Sequence, residues 1–215
     1  MAAYGTITSV YEDLRAKIMS GDLFPSSSLT ETDLATQYRV SRNTVKKALL
    51  MLEGENLVLI EPNKGAKVRS YSLTEVLEHL EVRGLLEGFI VRLAVPNISS
   101  KQIESLEEIL KEMHICNDQR RLVDYSECNL RFHGIVCDAC PNRTLVDIST
   151  GLHIQMSKYN TKTTLIPGRA EESMVEHEAI FAAVKAKDAV LAEEMVRKHI
   201  ENVRKVFAEN YRLLF

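Results

Sequence analysis

The stretch SRNTVKKALLMLE at residues 41–53 combines two helix faces of opposite character. Its apolar side chains recur at spacings of three and four residues, at Val45, Ala48, Leu49 and Leu52. This spacing predicts the buried stripe of an amphipathic helix. The opposite face carries polar and basic side chains in the first two turns, at Arg42, Asn43, Lys46 and Lys47. Ser41 precedes the helix and is a suitable N-cap.

Two further helices are predicted before this stretch and a hairpin after it. Apolar spacing predicts a helix over residues 5–20, and Thr30 can cap a short helix over residues 31–38. Beyond the stretch, a short apolar run, a turn at residues 62–65 and a second extended segment predict a hairpin. Three helices followed by a hairpin are typical of a winged helix-turn-helix.

From Ser72 onward, the apolar residues recur only at the spacing of three and four residues that is typical of helices. The pattern predicts six helices joined by short connections, with Pro96 and Pro141 ending two of them and a polar loop at residues 160–168. Helices in such an order are typical of an antiparallel bundle. We therefore predict a mostly α protein with a winged helix-turn-helix at residues 1–70 and an all-helical antiparallel bundle at residues 71–215.

The net charge needs to be divided between these two regions. The 215 residues carry a formal charge of −3, which taken alone argues against a nucleic-acid partner. However, residues 1–70 hold nine basic and eight acidic side chains, and the excess of acidic side chains lies in the predicted bundle. Whether the chain can bind nucleic acid therefore depends on where its basic side chains lie, and not on the net charge.

Several classes of protein are excluded by composition. No apolar run approaches the roughly 18 residues of a membrane span, and no secretory signal is visible at the N-terminus. Four cysteines in 215 residues do not form a disulfide scaffold. These features predict a cytoplasmic protein with no membrane partner.

The basic helix and the hairpin tip predict contacts to DNA. A recognition helix uses its N-terminal turns to reach base edges, where Arg pairs with guanine and Asn with adenine, and lysines neutralise phosphates. Any one of these features is explained by a basic helix face in solvent. The helices, the basic first turns and the glycine-tipped hairpin in this order along the chain favour a DNA-binding function. The predicted DNA-contacting residues are Arg42, Asn43, Thr44, Lys46, Lys47, Lys64 and Gly65.

Three histidines lie on apolar helix faces in the second region. His133, His177 and His199 belong to three separate helices, and each alone is more often a satisfied core histidine. Three that converge on one core are typical of a site for zinc-like metals. Asn129 lies one turn before His133, so its amide oxygen can supply a fourth ligand.

Residues 10–69 resemble the winged helix of GntR-type regulators. The matching pieces include Leu29-Thr30-Glu31, Val40-Ser41-Arg42, Val45-Lys46 and Asn63-Lys64-Gly65. The resemblance implies a transcription factor that binds double-stranded operator DNA, with Arg42 and Lys46 as main contacts and Lys64-Gly65 at the wing tip. Lys46 replaces a usual Arg, which removes bidentate geometry at that contact.

Residues 75–211 resemble the all-helical FCD effector domain of these regulators, in its six-helix VanR-like form. The motifs are EVLEHLEVRGLLEGFIVRLA at 75–94, NLRFHGIV at 129–136, EHEAIFAAVKAKD at 176–188 and AEEMVRKHIENV at 192–203. The resemblance implies a homodimer and a divalent metal held by Asn129, His133, His177 and His199. Zinc is the predicted ion, with nickel or manganese as alternatives.

A small organic acid is the predicted effector, because in such domains a small carboxylate binds beside the metal. Arg83 can contact it, although an ion pair with Glu87 one turn away is an equal alternative. Our hypothesis is a repressor and not an enzyme, in which the effector changes how a dimer fits two half-sites. Two rivals remain: a metal-dependent hydrolase, and a thiol redox sensor that uses Cys137 and Cys140.

Overall fold

The structure, a computed structural model, describes residues 5–62 and 64–214, with the side chains of residues 157, 158, 160–162 and 212–214 left undescribed. The chain divides into two compact units, Met1–Ser72 and Leu73–Phe215. The first unit contains α1 (Ile7–Ser20), β1 (Ser28–Leu29), α2 (Glu31–Tyr38), α3 (Arg42–Gly54), β2 (Val58–Glu61) and β3 (Gly65–Val68). Residue 63 of the predicted turn lies outside the described residues.

Helix α3 forms where its capping residue and its apolar spacing predict it. The Ser41 side chain accepts a hydrogen bond from the Thr44 amide, which satisfies one of the unpaired donors at the helix start. The apolar stripe of α3 is at most 2% exposed, at Val45, Ala48, Leu49 and Leu52. This stripe packs with α1 and α2, so the opposite face of α3 is left to solvent.

The hairpin belongs to a three-stranded antiparallel sheet of order β1-β3-β2. Strand β1 was not predicted, because Ser28 lies in a stretch with loop composition, and the pairing of Ser28 with Lys67 is a long-range contact. Gly65 starts β3 with φ of +86°, and a Cβ there would lie 2.9 Å from the Leu29 carbonyl oxygen. Only glycine therefore satisfies both the backbone conformation and the close approach of β1.

The second unit is the predicted all-helical bundle. It contains α4 (Leu73–Ala94), α5 (Ser100–Asp118), α6 (Leu122–Ala139), α7 (Arg143–Thr163), α8 (Arg169–Lys185) and α9 (Ala189–Leu214). Helix α7 extends to Thr163, so the predicted loop at residues 160–168 is wrong over its first four residues. No described helix has the length and apolar character that a membrane crossing requires.

The bundle core brings α4, α6, α8 and α9 together. Its fully buried side chains include Ile90, Phe132, Ile180 and Val196. Burial of one such side chain contributes about 1.5–3 kcal/mol to the free energy of unfolding. Because the core lies against the same helix faces that carry His133, His177 and His199, packing of the apolar stripes also sets the positions of the histidines. The predicted fold class is confirmed.

Candidate nucleic-acid interface and metal centre

The exposed face of α3 and the wing hairpin share a cleft of about 550 Å³. Of the predicted DNA-contacting residues, the cleft is lined by Arg42, Lys46, Lys64 and Gly65. Asn43 and Lys47 are exposed on α3 beside it, whereas Thr44 is half-buried and hydrogen-bonds with the Ser41 side chain. The first two turns of α3 and the wing tip therefore line one cleft, which carries the cations of Arg42, Lys46 and Lys64.

Two carboxylates also line this cleft and pair with its cations. Glu31 lies 3.4 Å from the Arg42 guanidinium, and Glu61 lies 2.9 Å from Lys67 and 3.9 Å from Lys64. The hydrogen bond from Lys67 lowers the pKa of Glu61, so this carboxylate stays charged. Exposed pairs of this kind are worth little, and a phosphate or a base edge can replace them.

In the bundle, His133, His177 and His199 form one cluster. Their ligand nitrogens all lie within 4.8 Å of one another, and the Nε2 atoms of His133 and His177 are 3.2 Å apart. A tetrahedral ion with nitrogen ligands at about 2.1 Å places those nitrogens about 3.4 Å apart. The three rings are therefore close to the spacing that a metal ion requires.

Two of the rings are oriented by hydrogen bonds on their far side. His177 Nδ1 lies 2.6 Å from the Ser173 carbonyl oxygen, which can only accept, so Nδ1 carries the hydrogen and Nε2 presents its lone pair. His199 Nδ1 lies 2.5 Å from a Glu176 carboxylate oxygen and donates to it. Carbonyl and carboxylate partners of this type fix the tautomer of metal-ligating histidines.

The environment keeps two rings of the cluster uncharged. Burial is the main cause that lowers the pKa of His133 to about 3; Glu87 opposes this shift, and His199 and Arg83 add to it. Burial also lowers the pKa of His177 well below its ordinary value. Neutral imidazole is the form that binds metal, so these rings are ready to bind a cation at neutral pH.

Glu176 is a functional residue that the sequence reasoning missed. Arg169 donates two hydrogen bonds to it at 2.7 and 3.1 Å, and Asn202 donates a third at 2.8 Å, in addition to His199. Burial alone would raise the pKa of Glu176, but the hydrogen bonds from His199 and Arg169 lower it to about 2. The sequence places Glu176 beside His177 and off its stripe, and the contact with His199 comes from helix α9.

The predicted fourth ligand, Asn129, lies one helical turn before His133 on α6 and is half-buried. Its role as a ligand stays a prediction. The predicted effector contact, Arg83, is buried, and its Nε donates to Glu87 at 2.8 Å. Burial opposes ionisation of Glu87, yet Arg83 and the nearby histidines lower its pKa to about 2. The structure therefore contains the ion pair that was the alternative role of Arg83.

A cavity of about 290 Å³ opens beside the cluster, lined on its polar side by Glu87, His133 and His153. His153 lies on α7, and no spacing along the chain relates it to the other histidines. Burial lowers its pKa to about 4, so it is neutral. A concave, mostly apolar cavity with a few polar groups is typical of a binding site for a small molecule.

The observations weigh against both rival interpretations. The carboxylates beside the cluster, Glu176 and Glu87, are held by Arg169 and Arg83, so neither is available as a general base. All four cysteines are free, and burial raises the pKa of Cys137 to about 12. A thiol of this kind contains little reactive thiolate at neutral pH.

A winged helix with a basic reading face, in one chain with an all-helical bundle, defines a DNA-binding regulator of two domains. Residues 6–68 match the bacterial regulatory proteins of the gntR family, and residues 78–202 match the FCD domain. The chain therefore belongs to the GntR family of transcriptional regulators, in the group that carries an FCD domain. Regulators of this family bind operator DNA and are not enzymes, which confirms these two predictions.

Named relatives agree with this assignment over nearly the whole chain. The transcriptional repressor RspR of Escherichia coli is 24% identical and the repressor GlaR of the same species 27% identical. These matches cover 94% and 91% of this chain and 90% and 93% of the relatives. The solved structure of Escherichia coli McbR/YncC superposes with a TM-score of 0.79 at 22% identity, covering 98% and 100% of the two chains, and supports the fold.

Proposed function

We propose that this regulator is a repressor whose operator binding is modulated by a small carboxylate held beside a divalent metal in the bundle. The observation that carries the proposal is the convergence of His133, His177 and His199, with the ring nitrogens of two of them aimed by Ser173 and Glu176. A core without a ligand has no need of three imidazoles whose ring nitrogens converge, two of them with carboxylate or carbonyl support. The repressor activity is proposed from the names of RspR and GlaR.

Zinc is the proposed ion, because the donor set is rich in imidazole nitrogen, and nickel or manganese are the alternatives. Asn129 is the proposed fourth ligand, through its amide oxygen. When bound, the ion supplies positive charge and open coordination positions for ligand oxygens. His133, His177 and His199 would hold it, and Ser173 and Glu176 keep two of the rings in the ligating tautomer.

The proposed carboxylate class follows from the charges around the cavity. Glu87 and Arg83 neutralise each other, and His133 and His153 are uncharged, so these groups leave no net positive charge for an anion. A divalent ion provides that charge and offsets the cost of burying a carboxylate. Carboxylate binding should therefore require the metal, and ligand-induced stabilisation should disappear after chelation with EDTA.

A homodimer is the proposed binding form. Helix α4 exposes Val82, Leu85 and Phe89, each more than 40% accessible, at the spacing of one helix stripe. An apolar stripe of this kind is typical of a surface that another chain covers. A second copy is the occupant that suits a regulator with two operator half-sites. Leu85→Asp should lower the mass measured by light scattering toward that of one chain.

The decisive experiment measures metal and operator binding in the same preparations. His177→Ala/His199→Ala should reduce the metal content, determined by elemental analysis, from about one ion per chain to none. It should also abolish the effect of effector on operator binding measured by fluorescence anisotropy.

His114→Ala is the matched control, because His114 is exposed and pairs with Glu178 on the bundle surface. It should keep both properties of the wild-type protein. A full complement of metal in the double variant would contradict the assignment of the site.

A further inference from the structure

Glu53 joins helix α3 to the wing hairpin. It lies half-buried in the last turn of α3, and its carboxylate oxygen Oε1 accepts a hydrogen bond from the backbone amide of Ile60 on β2 at 3.0 Å. Glu53 follows Lys46 by seven residues and Arg42 by eleven, and both spacings return to the same side of a helix. The hydrogen bond therefore attaches the wing to the side of α3 that lines the cleft.

The Ile60 amide points to the open edge of the sheet. Within the described residues the strand order is β1-β3-β2, so β2 is an edge strand. Arg69 donates its backbone hydrogen to the Leu57 carbonyl, and backbone groups alternate in direction along a strand. Those of Ile60, three residues after Leu57, consequently point away from β3. The Glu53 side chain supplies the acceptor that a further strand would otherwise provide.

Two electrostatic costs come with a carboxylate at position 53. The last turn of a helix lies at the negative end of the helix dipole, where cations are favoured. The carboxylate also lies on the same side of α3 as Arg42 and Lys46, where DNA phosphates are expected to approach. The bond to Ile60 compensates these costs at the place that matters for the wing, because Ile60 lines the cleft just before the turn that carries Lys64.

We propose that Glu53 is a positioning residue for DNA binding, whose carboxylate holds the wing at the distance from α3 at which Lys64 and Arg42 contact one duplex together. Glu53 acts through the wing and not by a contact of its own to DNA. Without its hydrogen bond the wing takes other positions, and the apparent affinity falls in proportion to the fraction of molecules whose wing stays in place. The inference concerns the winged helix and is independent of metal and effector.

The first experiment separates the reach of the side chain from its charge. Glu53→Asp keeps the negative charge but is one methylene shorter, so its carboxylate no longer reaches Ile60. Glu53→Gln removes the charge but keeps an acceptor oxygen in place. The probe is a duplex that the full-length wild-type protein selects from random sequence. By fluorescence anisotropy, Glu53→Asp should bind it about ten-fold more weakly and Glu53→Gln within about two-fold of wild type.

A charge effect predicts the reverse order of these two variants. If Glu53 acted by repelling phosphates, Glu53→Gln would bind more tightly than wild type and Glu53→Asp would equal it, and this result would overturn the proposal. Glu12→Asp shortens a carboxylate at an exposed position on α1 and is the control, which should bind as wild type does. Circular dichroism verifies that each variant is folded.

The salt dependence tests whether the wing contact is what Glu53→Asp loses. Lys64→Ala should lower the slope of log affinity against log salt by about 0.9, because one phosphate contact is lost. Glu53→Asp should lower the slope by the same amount, and adding Lys64→Ala to it should cause little further loss. Fully additive losses would show that the two positions act independently and would refute the positioning role.

Amide exchange in the wild-type protein tests the hydrogen bond itself without any substitution. The Ile60 amide should be protected from exchange with deuterium in wild type and in Glu53→Gln, and should exchange about ten-fold faster in Glu53→Asp. Exchange of the wild-type Ile60 amide at the rate of an unprotected amide would show that Glu53 does not hold the wing, and the inference would fail.

Discussion

The winged helix and the helical bundle use charge in opposite ways. The winged helix exposes its cations and balances them with carboxylates in solvent, as between Arg42, 69% exposed, and Glu31. Beside its histidine cluster the bundle buries a charged pair, between Arg169 and Glu176, and keeps His133 and His177 neutral. A surface for a polyanion must release its ion pairs easily, whereas a buried centre must keep its geometry before the ligand arrives.

The largest expected effect is on the buried pair. Glu176→Gln keeps the shape of the side chain but removes the close anionic partner of Arg169, 3% exposed, and leaves it only the exposed Glu172 at 4.0 Å. We expect the free energy of unfolding to fall by about 3 kcal/mol, because an uncompensated buried charge is strongly destabilising. Metal affinity should fall about 10- to 100-fold, since His199 loses its carboxylate partner. Urea unfolding and metal titration measure the two effects.

The surface pair of Glu112 and Arg131 is the matched control. Both side chains are about half exposed, so Glu112→Gln should change the free energy of unfolding by less than about 1 kcal/mol. Equal effects of the two substitutions would remove the contrast between buried and exposed pairs.

The next largest effect is expected from substitutions on the exposed face of helix α3. Arg42→Ala should cost about 1–3 kcal/mol of operator affinity and relax the preference at one base pair, because Arg reads guanine directly. Lys46→Ala should weaken all sequences alike and reduce the salt dependence by about 0.9 in slope, because it neutralises a phosphate. Anisotropy titrations on operator and scrambled DNA at several salt concentrations distinguish these two kinds of contact. If Arg42→Ala and Lys46→Ala change the affinity and its salt dependence identically, Arg42 contacts phosphate only.

A smaller effect is expected from the carboxylates of the cleft. Glu61→Gln releases Lys64 and Lys67 and should raise affinity for scrambled DNA a few-fold at most. Glu12→Gln removes the same charge from an exposed position on α1 and is the control. If both variants gain affinity equally, the gain reflects net charge and not the ion pairs at the wing.

The smallest expected effect is that of thiol chemistry. Burial raises the pKa of Cys128 to about 11, and that of Cys137 is raised to about 12, so both thiols stay protonated at pH 7.5. Alkylation of native protein by iodoacetamide should be slow at both positions, by peptide mass spectrometry. Operator binding should be the same with and without a thiol oxidant, and a reversible loss of binding would restore the redox interpretation.

The helices could be predicted because each one depends on local spacing and capping. Thr30 and Ser41 cap their helices as their positions indicate, and the bounds of α2 are those predicted. Strand β1 could not be predicted, because two residues show no alternation and their partner is almost forty residues away. The extension of α7 was missed because its polar composition masks its helical structure.

The candidate site, like the fold, could be predicted only where the pattern along the chain is local. His133, His177 and His199 could be placed together because each lies on an apolar stripe, and the core brings such stripes into contact. Their supporting group, Glu176, and the cavity residue His153 could not be placed. A polar side chain beside a stripe is directed by whichever element packs against it, and no spacing in the sequence records that.

Gly65 has a consequence for which substitutions the protein can accept. The unpredicted strand β1 brings the Leu29 carbonyl to 2.9 Å from where a side chain at Gly65 would begin. The wing tip therefore cannot be retuned for another operator by changing this position, whatever DNA contact the new side chain might make. Arg42, Asn43 and Lys46 are exposed on α3, so we expect new binding preferences to arise at these positions, where substitutions leave the sheet undisturbed.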